Sequence, residues 1–310
     1  MRNLSYAALW MAFTMLAGCI PLASAQLLPE KAQSQPILSD EPQQPASIGD
    51  QEAQLRSSLK KNPNSAELLY QLAAVQRLEN KPRDSLETYT HAASLKKPDV
   101  GELRSVALDY VLLNDYKDAI YWLRVALSMD ADSVDVLYSL GRCLYSENLF
   151  SQAEDAFTRV LRLRPDHLKA EENLGLTYEA ENDPQKAEAA LRTAAGWAEK
   201  LPPRDEWPFL DLGRFLLDEN RAGEALPFLE KAAEIAPNSA LCQELLGRAE
   251  VATGDTAGGI KSLESAVSLD PKNPKIHFEL GHAYRDAGQA DKARAEFAIS
   301  KSLYGEHSQN

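Results

Sequence analysis

Small and large apolar side chains recur along this chain with a period of about 34 residues. Leu-Gly pairs begin at Leu140, Leu174, Leu212, Leu246 and Leu280, and the intervals between their glycines are 34, 38, 34 and 34 residues. Two further steps back from Gly141 reach alanines. The small residues at this position are Ala73, Ala107, Gly141, Gly175, Gly213, Gly247 and Gly281. They define seven consecutive repeats.

Two further positions follow the same register. Twelve residues after each small residue comes a second small one: Ser85, Ala119, Ala153, Ala187, Ala225, Gly259 and Ala293. Four residues later comes a large apolar or aromatic one: Tyr89, Leu123, Phe157, Leu191, Leu229, Leu263 and Phe297. Agreement at small and large positions alike indicates one structural motif repeated seven times.

Each repeat is predicted to form two helices. In the third repeat, residues 135–146 and 152–163 are both amphipathic, and the sequence ENLFS between them is typical of a turn. Pro165, Pro237 and Pro271 end second helices, because the residue before a proline avoids helical geometry. Paired helices lie about 8–10 Å apart. We therefore place the recurrent glycine where the two helices of a pair cross, opposite a large side chain.

These features resemble the tetratricopeptide repeat, whose pattern is W-x2-L-G-x2-Y…A-x3-F…P over 34 residues. The third repeat matches at Leu140-Gly141, Ala153, Phe157 and Pro165, although no repeat has the tryptophan. The resemblance covers residues 66–304. It implies an all-α fold, a right-handed superhelix (α-solenoid) of about seven helix pairs, with the first helix of each pair lining a concave, partner-binding surface.

The chain around these repeats is divided as follows. One helix at Asp50–Lys60 is expected to precede the first pair, so the α-solenoid spans residues 50–304, and residues 305–310 are expected to form a flexible tail. Residues 26–49, rich in proline and glutamine, are typical of a disordered linker. The 38-residue interval predicts that the second helix of the fourth repeat is one turn longer than the others.

The N-terminus has the pattern of an export signal. Arg2 precedes an apolar run, and Ala23-Ser24-Ala25 is a small-residue cleavage pattern, which predicts a signal peptide at residues 1–25. The sequence LAGC at Leu16–Cys19 resembles a bacterial lipobox, which would make residues 1–18 the signal and Cys19 the lipidated residue. Both alternatives predict an exported protein, either periplasmic or secreted, or anchored to a membrane by a lipid at Cys19.

The net charge and the kinds of side chain present limit the classes of function that the sequence predicts. A net charge of −13 disfavours nucleic-acid binding, because phosphates would be repelled. We find no catalytic motif and expect neither an enzyme nor a cofactor or metal site; His277 and His282 lie about 140° apart around a helix. Cys143 and Cys242 are 99 residues apart, which is too far across stacked pairs for a disulfide. They are predicted to be free, buried thiols.

The candidate partner-binding residues lie on the predicted concave surface. They are Arg104, Tyr138, Arg142, Tyr145, Trp207, Arg214, Arg248, Phe278, His282 and Arg285. Arginines beside aromatic rings suit an extended protein or peptide segment that carries carboxylates or other anions. In a structural alternative, Arg214 pairs with Asp218 and Arg248 with Glu244, each four residues away on one helix.

Together these patterns predict a non-enzymatic protein–protein interaction scaffold of the bacterial cell envelope. An alternative is a polysaccharide- or peptidoglycan-associated repeat protein of an envelope assembly or export machine, in which Tyr138, Tyr145 and Trp207 would stack on sugar rings.

Overall fold

The computed structural model describes residues 48–200 and 205–307. The predicted signal peptide, the candidate lipidation site Cys19 and residues 26–47 of the predicted linker lie outside the described residues. Within the described ranges every regular element is an α-helix. The all-α prediction is therefore confirmed.

Fifteen helices follow one another in the described ranges. They are α1 (Ile48–Lys61), α2 (Ala66–Leu78), α3 (Pro82–Leu95), α4 (Val100–Leu112), α5 (Tyr116–Met129), α6 (Val134–Ser146), α7 (Phe150–Leu163), α8 (Leu168–Ala180), α9 (Pro184–Ala198), α10 (Trp207–Asp218), α11 (Ala222–Ile235), α12 (Ala240–Thr253), α13 (Thr256–Leu269), α14 (Pro274–Asp286) and α15 (Ala290–His307). Helix α1 precedes the first pair, and the other fourteen helices form seven pairs.

The described residues form two compact units, residues 48–165 and residues 166–200 with 205–307. In the N-terminal unit, α1 packs against α2, and three pairs follow: α2–α3, α4–α5 and α6–α7. The C-terminal unit contains four pairs: α8–α9, α10–α11, α12–α13 and α14–α15. In each unit a helix packs mainly against its neighbours in sequence, which is the arrangement expected of a repeat array.

The recurrent small residue lies at the crossing of the two helices of its pair, as the sequence predicted. A Cβ atom added to Gly213 would lie 2.5 Å from Leu229 Cδ2, and one added to Gly141 would lie 2.6 Å from Phe157 Cε1. At the glycines of the other three Leu-Gly pairs, an added Cβ atom would lie 2.6–2.8 Å from the large residue sixteen positions later. In the two repeats without glycine, Ala73 and Ala107 are fully buried. The large side chain therefore occupies the space that a bulkier first helix would need.

A left-handed residue ends the first helix of every pair. It is an asparagine in five repeats, with φ of 58–61°: Asn80, Asn114, Asn148, Asn182 and Asn220. Gly254 and Gly288 occupy the position in the last two repeats. In the third repeat the Asn148 N–H donates to the Tyr145 carbonyl at 2.9 Å, and the Leu149 N–H donates to the Leu144 carbonyl at 2.9 Å. This is the Schellman arrangement, and asparagine and glycine are the residues that adopt it at lowest cost.

Three sequence-based expectations about individual elements have an outcome in the structure. The prediction of a second helix one turn longer in the fourth repeat is wrong: α9 has 15 residues where the other second helices through α13 have 14. Helix α9 ends at Ala198, and the next helix begins at Trp207. Helix α15 continues to His307, three residues past the expected end. Cys143 and Cys242 are free and buried, which confirms that prediction.

A buried carboxyl group joins two pairs of the N-terminal unit. Ser85 Oγ lies 2.8 Å from the Ala73 carbonyl oxygen and 2.6 Å from Asp109 Oδ2. The hydroxyl has one proton for these two acceptors, so both hydrogen bonds form together only when the Asp109 carboxyl is itself protonated and supplies the second proton. Burial raises the pKa of Asp109 to about 7, against the opposing effects of Ser85 and Arg77. Asp109 is therefore protonated below neutral pH.

Replacing Gly213 with leucine should lower the free energy of unfolding by about 1–3 kcal/mol or more, because the new side chain overlaps Leu229. Gly196 provides the matched control, since a Cβ atom there meets nothing within 4 Å and Gly196→Leu should cost little. Urea unfolding followed by circular dichroism measures both. Equal losses for the two variants would contradict the role assigned to the crossing glycine.

Asp109 should make stability depend on pH. Between the unfolded value of about 3.9 and the folded value of about 7, the folded protein holds a proton that the unfolded chain has lost. The free energy of unfolding should therefore fall as pH rises through this window. Asp109→Asn keeps a donor towards Ser85 and should flatten that dependence, so that the variant is the more stable protein at pH 8. Unfolding across pH 4–8 tests this, with the exposed Asp155→Asn as control; an unchanged slope in Asp109→Asn would refute it.

Candidate partner-binding site

Two of the candidate residues in the N-terminal unit lie in the core. Tyr138 is 4% exposed and Arg142 is 6% exposed. The Tyr138 ring packs 6.0 Å from that of Phe157, and the Arg142 guanidinium lies 5.7 Å from the Tyr138 ring centroid. Little of either side chain is therefore accessible to a partner in this structure.

The other two candidates of this unit are half-buried and in contact with neighbours. Arg104 Nε donates to Ser139 Oγ at 3.0 Å. The Tyr145 ring packs edge-on against Phe150, with 5.5 Å between centroids. Among the described residues of the N-terminal unit, the four candidates therefore contribute to packing between helices.

In the C-terminal unit a ladder of alternating charges crosses four first helices. Both Nη atoms of Arg214 (α10) donate to the carboxylate of Glu179 (α8), at 2.8 and 2.7 Å, and Nη1 also donates to Asp218 at 3.4 Å. Arg248 (α12) lies 4.0 Å from Asp218 and 3.8 Å from Glu279 (α14). We call these five residues the charge ladder. It aligns the first helices of four successive pairs.

The ladder differs in one respect from the sequence-based alternative. The predicted Arg214–Asp218 pair is confirmed. The predicted Arg248–Glu244 pair is wrong, because Glu244 forms its ion pair with Lys275, whose Nζ lies 2.9 Å from Glu244 Oε1. Helix α14 thus supplies a closer cation than the helix on which Glu244 lies.

Arg248 and His282 line a common cleft, and Phe278 lies one turn before His282 on α14. The cleft has a volume of about 300 Å³ between the first helices α10, α12 and α14. We call it the α10–α12–α14 cleft. The His282 and Phe278 rings are 4.4 Å apart, and Phe278 is 47% exposed. Three of the candidates are therefore brought together in one place.

The two remaining candidates do not line this cleft. Trp207 begins α10, is half-buried, and donates its backbone N–H to Asp205 at 3.2 Å. Arg285 is exposed, and its Nε donates to the adjacent Asp286 at 3.2 Å.

Buried acids occupy the first helices on the N-terminal side of the ladder. Burial raises the pKa of Asp211 to about 6 and raises the pKa of Glu172 well above its usual value. Lys169 Nζ lies 3.6 Å from Glu172 and pairs with Asp205. Lys169 and Asn173 also contact each other, since Asn173 Nδ2 donates to the Lys169 carbonyl at 2.7 Å. This hydrogen bond stabilises α8.

Sequence reasoning missed two of the four polar residues that line the cleft. Asn220 lines it and is the left-handed residue that ends α10. The recurrence of asparagine at this turn is visible in the sequence. Glu279 also lines the cleft, but its ladder contact with Arg248 connects two repeats and has no local signal.

The described ranges contain neither a metal-binding group nor a membrane-spanning helix. No group of three or more histidine, cysteine, aspartate or glutamate side chains is placed to hold a metal ion there. Over the same residues, none of the helices combines the length and the apolar character that a bilayer crossing requires.

Comparison with protein families identifies the repeat. Models described as "TPR repeat" and "Tetratricopeptide repeat" match residues 247–288, residues 110–171, and residues 172–201 and 209–239. These matches include most of the repeats found in the sequence and the whole of the charge ladder.

Two relatives and one solved structure are each similar to a large part of this chain. Protein bimA of Emericella nidulans is 24% identical over 195 residues, which are 62% of this chain and 24% of bimA. Cellulose synthase operon protein C of Xanthomonas axonopodis pv. citri is 28% identical over 178 residues, which are 56% of this chain and 12% of that protein. The chain thus spans a quarter or less of these two relatives. The crystal structure of the APC/C hetero-tetramer Cut9-Hcn1 superposes on 83% of this chain and 50% of its own, with a TM-score of 0.62 and 15% identity.

The two ladder arginines should differ in their effect on stability, although both side chains are 26% exposed. Arg214→Ala removes two short hydrogen bonds and leaves the half-buried Glu179 carboxylate without them, which should cost about 1–3 kcal/mol. Arg248→Ala removes two ion pairs that are too long for hydrogen bonds and should change stability by about 0.5 kcal/mol or less. Thermal unfolding measures both, and a larger loss in Arg248→Ala would contradict this ranking.

Proposed function

Because the chain carries tetratricopeptide repeats, a fold typical of protein–protein interaction scaffolds, we propose that it is a non-enzymatic scaffold of the bacterial cell envelope. It holds a segment of a partner protein against the first helices of its C-terminal unit. The observation that carries the proposal is the α10–α12–α14 cleft, which Arg248 and His282 both line, with the exposed ring of Phe278 next to that of His282.

We propose the C-terminal unit as the binding surface because of the exposure of its candidate side chains. A partner requires side chains that are accessible before it binds, and the buried Tyr138 and Arg142 do not meet that requirement. Phe278 does, and an exposed aromatic residue beside a cleft is the type of side chain that anchors protein interfaces.

The envelope location rests on the sequence alone. The apolar run that ends in Ala23-Ser24-Ala25 supports export with cleavage after Ala25, and LAGC at Leu16–Cys19 supports lipidation at Cys19 instead. In both alternatives the repeats act outside the cytoplasm.

Polysaccharide association is the second candidate function. The similarity to a cellulose synthase operon protein favours it. It ranks lower because sugar stacking needs exposed ring faces, and Tyr138 is buried while Tyr145 packs against Phe150. Of the three rings, Trp207 is the remaining candidate for such stacking.

The scaffold proposal is tested by cross-linking capture from envelope extracts with the tagged full-length chain. Phe278→Ser should reduce recovery of the main cross-linked protein at least tenfold, because it removes the exposed aromatic residue beside the cleft. Tyr121→Ser is the matched control, since Tyr121 is similarly exposed, at 52%, but lies on the second helix α5. The mass of the purified chain also reports the mature N-terminus. Equal recovery with both variants would reject the proposed surface, and a chain that retains Met1 would reject export.

A further inference from the structure

Resting on the scaffold function proposed above, we propose that the α10–α12–α14 cleft takes one uncharged, apolar side chain of the partner segment. In this arrangement Arg248 donates hydrogen bonds to a main-chain carbonyl oxygen beside that side chain.

The cleft is lined by six apolar and four polar residues. The apolar lining residues are Leu217, Ala222, Val251, Ala252, Leu263 and Ala283. Asn220, Arg248, Glu279 and His282 provide the polar groups. A volume of about 300 Å³ is at the small end of ligand pockets, so the cleft suits one large side chain or two small ones.

Arg248 is placed to recognise a ligand because its hydrogen-bonding capacity is unused by the described residues. Its nearest carboxylate oxygens, on Asp218 and Glu279, are 4.0 and 3.8 Å away, beyond hydrogen-bonding distance. Arg214, on the preceding first helix, makes three hydrogen bonds to carboxylates. A guanidinium has five N–H donors, so Arg248 is free to bind an oxygen that enters the cleft.

The charge around Arg248 selects a neutral acceptor. The charge ladder contains three carboxylates, on Glu179, Asp218 and Glu279, and two guanidinium groups, so its net charge is negative. A carboxylate bound at Arg248 would lie close to the carboxylates of Asp218 and Glu279 and be repelled by both. A main-chain carbonyl accepts the same hydrogen bonds without that repulsion. The cleft therefore disfavours the anionic partner expected from the sequence.

Aromatic rings extend the apolar surface beyond the cleft. The rings of Phe278, His282 and Phe297 form a cluster, with His282 4.4 Å from Phe278 and 5.2 Å from Phe297, and 5.7 Å between the two phenylalanines. Because Phe278 remains 47% exposed, a segment leaving the cleft along α14 would cover further apolar surface.

A phage-displayed random peptide library, selected on the purified full-length chain, tests the proposal. The selected peptides should share an apolar residue that is not flanked by acidic ones, and their affinity should change little between low and moderate salt. Ala252→Trp fills the cleft from an exposed position on α12 and should weaken binding at least tenfold. Ala257→Trp, exposed on α13 outside the cleft, should leave affinity unchanged.

Three other results would each contradict one element of this binding mode. If peptides bind Ala252→Trp as tightly as the unmodified chain, their binding site lies outside the cleft. This result would not contradict the scaffold function. An acidic consensus with strong salt dependence would overturn the assignment of a neutral segment. If no peptide is enriched, the cleft proposal fails, and the scaffold function is then decided by capture from the envelope.

Discussion

The close approach of two helices at a side chain no larger than a methyl group is the constraint on which the rest of this structure depends. At five crossings the first helix presents a hydrogen atom to a leucine or phenylalanine of the second, and an added carbon would lie 2.5–2.8 Å from that side chain. Glycine costs about 1 kcal/mol of helix propensity relative to alanine, and burial of the large apolar partner offsets that cost. Because the contact is repeated in every pair, the first helices keep a constant relation to their second helices.

The geometry of each pair in turn places the polar residues. A regular first helix, ended by a left-handed asparagine or glycine, presents every third or fourth residue on the same side. In the C-terminal unit that side contains Glu179, Arg214, Arg248 and Glu279, and the ladder forms because successive helices bring opposite charges together. The cleft lies beside the ladder, where Arg248 is less tightly bound than Arg214.

Most of the fold could be predicted from the sequence, because its causes are local and repeated. Seven small residues in register with seven large ones predicted the helix pairs and their crossing contacts, and the structure has both. The four-residue insertion was misplaced, because length alone does not distinguish a longer helix from a longer connection. The candidate site was predicted less well: periodicity placed Tyr138 and Arg142 on a surface, whereas their burial depends on packing that the sequence does not encode locally. The partner of Arg248 was missed for a similar reason, since Glu279 belongs to the next repeat.

The charge ladder has a consequence for how this array could change during evolution. The glycine crossing is complete within one helix pair, so a duplicated or deleted pair carries its packing with it. The ladder, in contrast, runs between pairs: Arg248 lies between Asp218 of the preceding pair and Glu279 of the following one. Loss of the α12–α13 pair would join two acidic neighbours directly. The pairs of the C-terminal unit therefore have similar packing, but the charge ladder depends on their order. A recombination event that removed one pair would bring two carboxylates together, and their repulsion would destabilise the shortened array.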